Sequence, residues 1–294
     1  MENNIKSVEA VLAPPETNMV GDGFKVHNFF PSYNIIGEKG MSPFFLLDYN
    51  SKWIIPPSEK PRGVGPHPHR GFETVTIAYH GKVAHHDSAG NSGVIGEGDV
   101  QWMTAGSGVL HKEYHDIEFS KKGGVFQVVQ IWVNLPEKFK MTAPKYQAIE
   151  NKDMIRYLLN DGESYVELIA GEYRGNKGPA STFTPMNLFN ARLKKGAVAD
   201  FSFSNNYNTG LLVIEGEVNI NESGKAPCDH FVLFRHNGEN FKVEATVNSI
   251  VLVLSGEPIN EPVASHGPFL MNTRDEIKQA FDDFNNGKFG YLAD

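Results

Sequence analysis

The run Val75-Thr-Ile-Ala-Tyr-His-Gly-Lys-Val83 returns 135 residues later as Gly210-Leu-Leu-Val-Ile-Glu-Gly-Glu-Val218, with Gly81 matching Gly216 and Val83 matching Val218. Each copy is a β-rich stretch that stops at glycine and restarts with a charged residue and valine. That is the form of a hairpin whose turn needs glycine's backbone freedom. An offset close to half of the 294 residues points to a duplicated unit, and the length fits two domains better than one. Further runs rich in Val, Ile, Thr, Tyr and Phe lie at 125–133, 231–235 and 241–254, separated by turn residues. Short strands between turns imply an all-β chain of two tandem β-barrels, joined near residues 136–155.

One helix is expected, at the C-terminal end. Thr273 and Glu276 form a capping box, Ile277, Ala280, Phe281 and Phe284 share one face, and Gly287 supplies a stop. Its apolar stripe suits a structural seal on a barrel.

Charge excludes one class of partner. Asp and Glu total 35 against 27 Lys and Arg, a net charge of −8, so the chain offers no cationic surface for a phosphate backbone, and direct nucleic-acid binding is not expected. The single cysteine, Cys228, cannot form an intrachain disulfide. The first residues are acidic and polar where a signal peptide would be basic and then apolar. The longest apolar stretches, 210–214 and 250–254, are too short to span a membrane. These features lead to the expectation of a cytoplasmic protein without membrane contact.

The chemistry lies in two short motifs. Eleven histidines in 294 positions would give roughly 0.4 His-x-His pairs by chance, so His67-Pro68-His69 gains weight only from its surroundings. Residues two apart on a strand point to the same face, so His67 and His69 can present both imidazoles to one point. His111-Lys112-Glu113 repeats that geometry with a carboxylate. Two adjacent strands would then make a site of three histidines and one carboxylate, suited to iron, nickel, copper or zinc. Four ligands on one side of an octahedral ion leave two positions open, the arrangement of a catalytic rather than a structural site.

The stretches Gly65-Pro-His-Pro-His-Arg-Gly-Phe-Glu-Thr-Val75 and Gly98-Asp-Val-Gln-Trp-Met-Thr-Ala-Gly-Ser-Gly-Val-Leu-His-Lys-Glu113 resemble the two cupin motifs. Their wording, with Gln130-Ile-Trp-Val-Asn134, Gly256-Glu-Pro-Ile-Asn-Glu-Pro-Val263 and His266-Gly-Pro-Phe-Leu-Met-Asn-Thr273, is similar to the pirin family in particular. The resemblance runs from about Pro66 to Phe284. It implies two tandem cupin (jelly-roll) barrels with a short C-terminal helix: an N-terminal metal-binding barrel over 1–140, and a barrel over 141–294 that lacks ligands and carries the helix.

It also implies one divalent transition metal per chain, Fe2+ before nickel, copper, manganese or zinc, held by His67, His69, His111 and Glu113. Cupins at large would take the carboxylate from Glu73. The pirin pattern takes it from Glu113 and leaves Glu73 buried nearby. Two functions from different classes follow from the family. One is a dioxygenase that cleaves quercetin-type flavonols with O2, with Glu113 as catalytic base; the other is an iron-dependent regulator that binds a transcription factor or a metabolic enzyme. A zinc isomerase of sugar phosphates is disfavoured, because no cluster of Lys and Arg accompanies the ligands.

The constant offset places His67 on Ser202, His69 on Ser204 and Glu73 on Asn208, so the second barrel is expected to hold no metal. His80, His85 and His86 read as exposed residues around the Gly81 turn. His115, at the same parity as Glu113, is expected at the pocket mouth. Phe72, Trp102 and Trp132 read as core.

Overall fold

The strand nearest the N-terminus, β1 (Val8–Leu12), pairs antiparallel with residues 231–234 from the other end of the sequence. In this computed structural model, which describes residues 4–32, 36, 40–221 and 224–292, the chain divides into two units, neither contiguous. One comprises Glu16–Ser32, Phe44–Asn151 and Ile259–Asp294; the other comprises Met1–Pro15, Tyr33–Pro43 and Lys152–Pro258. The expected cut between 140 and 141 is therefore corrected. Both terminal segments, with 33–43 and 141–151, lie in the opposite unit from the one their place in the sequence suggested.

The first unit runs β2 (Thr17–Val20), β3 (Phe24–Phe30), β4 (Phe44–Ile55), β5 (Gly63–His69), β6 (Phe72–His80), β7 (Val83–Asp87), β8 (Ser92–Ile95), β9 (Val100–Thr104), β10 (Val109–His115), the short helix α1 (Ile117–Lys122), β11 (Gly124–Asn134) and β12 (Lys145–Ile149). Its sheets are ordered β12-β9-β6-β11-β4-β3-β2 and β5-β10-β7-β8. The second unit runs β13 (Ile155–Leu158), β14 (Tyr165–Ala170), the small hairpin β15 (Glu172–Tyr173) and β16 (Asn176–Lys177), β17 (Met186–Leu193), β18 (Val198–Ser202), β19 (Asn208–Glu215), β20 (Glu217–Ile220), β21 (Gly224–Pro227), β22 (Phe231–Phe234), β23 (Asn240–Ala245) and β24 (Ser249–Gly256). Its sheets are ordered β1-β22-β19-β24-β17-β14-β13 and β18-β23-β20-β21.

The two orders match strand for strand, which is the duplication the repeat signalled. Each unit is a jelly roll of one large and one small antiparallel sheet. Gly81 (φ 85°) and Gly216 (φ 80°) turn β6 into β7 and β19 into β20, where L side chains are strained. Edge strands β12 and β1 also correspond, pairing with β9 and β22, yet β12 follows its barrel in sequence and β1 precedes its own.

The remaining elements belong to the first unit: β25 (Ala264–His266), β26 (Phe269–Met271) and α2 (Arg274–Asn285). The capping box is present, with Glu276 N–H donating to Thr273 Oγ1 (3.2 Å) and Thr273 N–H to Glu276 Oε2 (2.7 Å). The stripe of Ile277, Ala280, Phe281 and Phe284 packs with Phe269, Met271 and Leu110. The helix thus seals the histidine-bearing unit and not the C-terminal barrel. Arg70 Nη1 donates to Asp283 Oδ2 (2.9 Å), and fully buried Lys140 donates to the carbonyls of Gly71 and Leu270, both at 2.9 Å. These bonds fix the terminal hairpin beside the loop that follows His69.

Candidate metal centre

Strand β10 alternates strictly between buried and half-buried positions, and Val109, His111, Glu113 and His115 are the buried set. An inward row of His, Glu and His breaks the apolar rule for a strand interior. Such a departure marks a place where function overrides packing.

The ladder sets His111 directly opposite His67 on β5 and Val109 opposite His69. The three imidazoles converge. Ring centroids lie 4.2 Å apart for His67 and His111, 4.6 Å for His69 and His111, and 4.8 Å for His67 and His69. Nδ1 of His67 meets the Gly65 carbonyl at 2.9 Å, and Nδ1 of His69 meets the Pro268 carbonyl at 3.3 Å. A carbonyl only accepts, so both Nδ1 atoms carry the proton and both Nε2 lone pairs are left for a metal. His111 is fully buried, and neither of its ring nitrogens has a hydrogen-bond partner. Burial holds His69 and His111 well below the usual histidine range, and neighbouring rings add to the effect. Neutral imidazoles with orphaned nitrogens are what a transition metal requires.

The ligand atoms of His67, His69 and His111 all lie within 4.8 Å of one another, as do those of His85, His111 and Glu113. The four residues singled out in the sequence therefore share one cluster, joined through His111. The Glu113 carboxylate is held from three sides: Gln130 Nε2 donates to Oε2 (2.7 Å), and Gln101 Nε2 (3.2 Å) and Thr76 Oγ1 (3.3 Å) donate to Oε1. Gln101 and Gln130 lie inside the quoted motifs, but nothing in an isolated glutamine showed their task.

His85 corrects the sequence reading, because it is fully buried beside the cluster and not exposed at the turn. Gln101 Nε2 donates to its Nδ1 (3.2 Å), so Nε2 bears the proton and faces Asp87 Oδ2 (3.3 Å). Its lone pair is committed, which leaves it beside the ligand set. His80 and His86 are half-exposed. His115 is buried away from the pocket mouth, its Nε2 on the Gly23 carbonyl (2.9 Å) and its ring against Phe126. Glu73 is fully buried and accepts from Thr104 Oγ1 (2.7 Å), and burial pushes its carboxyl up to about 7.

A cavity of about 340 Å³ opens on the cluster, lined by His67, His69 and Glu113 together with Val128, Trp132 and Asp48 among others. Phe72 and Trp102 are core, as expected, whereas Trp132 stacks on Phe72 (4.2 Å) and forms part of the cavity wall.

In the second barrel the ladders correct the constant offset. Glu113 opposes His85 and Val243 opposes Ile220; His111 opposes His67 and Phe241 opposes Phe201. His67, His69, His111 and Glu113 thus correspond to Phe201, Phe203, Phe241 and Val243, all in the core. Ser202 and Ser204 are exposed. The phenyl rings keep the triangular arrangement, with centroids 5.2, 5.8 and 6.0 Å apart, and offer no lone pair.

Two jelly rolls of duplicated topology, one with a histidine-carboxylate cluster in its interior and the other packed with hydrocarbon there, define a bicupin. The Pirin family model matches residues 23–133 and the Pirin C-terminal cupin domain model matches residues 188–290. The chain belongs to the pirin family. A crystal structure of quercetin 2,3-dioxygenase from Acinetobacter baumannii superposes with a TM-score of 0.92 at 46% identity, covering 98% of this chain and 100% of that one. A Pseudomonas aeruginosa protein provisionally given the same enzyme name is 43% identical over 285 residues, 97% of this chain and 99% of that protein. Pirin from Mus musculus is 36% identical over 258 residues, 86% of this chain and 84% of that protein.

Proposed function

We propose that the protein is an iron-dependent dioxygenase that cleaves quercetin-type flavonols with O2, with His67, His69, His111 and Glu113 holding one Fe2+ per chain. The observation that carries this reading is His111, fully buried with both ring nitrogens unpartnered, at the centre of a cluster that opens on an apolar cavity. The similarity to proteins named quercetin 2,3-dioxygenase supports the reaction class. When bound, the metal would supply two open positions for the flavonol's adjacent hydroxyl and ketone and favour the enolate.

The chain's own residues supply the rest. Carbonyls of Gly65 and Pro268 fix the two outer imidazoles. The apolar walls hold a planar aromatic molecule and exclude water, with Trp132 as one face. Glu113 is the carboxylate that takes the proton of the substrate hydroxyl, and its three amide and hydroxyl donors keep it aimed.

The test is aerobic turnover of quercetin by iron-loaded protein, with metal-free protein and Glu113→Gln as controls. Turnover that depends on metal and falls about 10²–10⁴-fold in the variant supports the assignment. A fully iron-loaded parent that leaves quercetin untouched refutes it. The family's regulatory activity, in which the metal's oxidation state alters a docking surface, would then be the reading to pursue.

A further inference from the structure

A row of polar side chains crosses the inner face of the large sheet in the histidine-bearing unit. Asn28 on β3 opposes Asp48 on β4, Asp48 opposes Gln130 on β11, Gln130 opposes Thr76 on β6, and Thr76 opposes Gln101 on β9. Three members of the row, Gln130, Thr76 and Gln101, donate to Glu113. Of the two that remain, Asp48 is a carboxylate with no such task. Asp48 stands one strand outward from Gln130, about 5 Å across the ladder, and lines the same cavity as His67, His69 and Glu113. Asn28 Nδ2 donates to its Oδ1 (2.7 Å), which fixes the carboxylate plane, and among the described residues no group donates to Oδ2. Among the described residues no cation pairs with it, and burial pushes its carboxyl up to about 6, opposed by the Asn28 bond.

An acceptor on the cavity wall, oriented by Asn28 and left half-satisfied, needs a donor from whatever fills the cavity. We propose that Asp48 is the distal recognition residue of this site: its Oδ2 accepts a hydrogen bond from a phenolic hydroxyl of an aromatic ligand whose other end reaches the histidine cluster. The inference rests on the flavonol reading and deepens it. The cavity selects polyhydroxylated flavonols over the bare ring system, because an analogue lacking the hydroxyl covers the Asp48 Oδ2 without supplying a donor to it.

The experiment is an anaerobic titration of iron-loaded protein, followed by tryptophan fluorescence, with quercetin and with 3-hydroxyflavone. Both carry the hydroxyketone that meets the metal; only quercetin carries further hydroxyls. The parent is expected to bind quercetin about ten- to hundredfold more tightly, the range for a hydrogen bond to a charged group. Asp48→Asn, which keeps the shape and the Asn28 contact, is expected to erase that preference while leaving the Kd of 3-hydroxyflavone and the iron content unchanged. Asp48→Ser takes its place if the first variant does not fold. A variant that keeps the parent's preference, or weakens both ligands alike, overturns the role of Asp48 while flavonol binding stands. A parent that binds neither ligand overturns the flavonol reading itself, and the role of Asp48 with it.

Discussion

Gln130 Nε2 donates to Glu113 Oε2 across 2.7 Å, while the same nitrogen lies 3.3 Å from Thr76 Oγ1. One amide therefore fixes the carboxylate's angle in the cluster. Groups that orient a ligand in this way typically change metal affinity or activity by about 10–100-fold when removed. Gln130→Leu is expected to lose activity in that range and to release its metal to a competing chelator more readily, with an unchanged far-ultraviolet circular dichroism spectrum.

Metal stoichiometry separates the two barrels. One ion per chain is expected from the parent by elemental analysis, and none from His69→Ala or His111→Ala, both remaining folded. Two ions per chain would contradict the phenyl-for-imidazole substitution in the second barrel.

Phe241 occupies the position that His111 holds in the other barrel, but its work is packing. It lies in the buried core against Phe201, Phe203 and Phe234. Phe241→Ala should cost about 3–5 kcal/mol in chemical denaturation and leave metal content untouched, the converse of His111→Ala.

Glu73 gives a pH signature. Its carboxyl titrates near 4.5 when unfolded and about 7 in the fold, raised by burial. The unfolded chain therefore ionises first as pH rises. Stability contributed by the protonated carboxyl is full below 4.5, declines up to about 7 and is flat above, a total of roughly 3 kcal/mol. Glu73→Gln should remove that decline when denaturation midpoints are compared at pH 5 and pH 8. An equal fall in both proteins would assign the pH dependence to other groups.

At the terminal helix, Phe281 is half-buried and stands edge-on to Phe269, with ring centroids 4.8 Å apart. Phe281→Ala should therefore cost less than a fully buried ring would, about 1–3 kcal/mol, read as a shift in denaturation midpoint. The shift is expected to accompany weakened metal binding, because the helix belongs to the histidine-bearing unit.

The candidate ligands were legible because a strand's period of two and a polar inward row are both written in the letters of β10. The repeat was legible for a similar reason, since a glycine turn between two hydrophobic runs is a local signal. What escaped was set by distant pairing. A constant offset put His67 on Ser202, whereas the ladder of β18 with β23 puts it on Phe201, and a one-residue slip turns a core ring into a surface hydroxyl. His85 looked like a turn residue because its neighbours on β10 lie almost 30 positions away. Asp48 carried no motif at all; only the pairing of β4 with β11, about 80 positions apart in sequence, places it beside Gln130. The unit boundaries failed likewise, since the pairing of β1 with β22 links opposite ends of the sequence.

That exchange of ends has a consequence for how the molecule is made. Synthesis runs from the N-terminus, so the strands bearing His67, His69, His111 and Glu113 emerge early. Pro268, whose carbonyl fixes His69, and the helix that covers β10 emerge among the last. A nascent chain therefore exposes an unfinished cluster of imidazoles for about half of translation, and the pocket takes its final shape only after the other barrel has been synthesised. Truncation after residue 258, which spares every candidate ligand, should leave a chain that gathers metal poorly and aggregates.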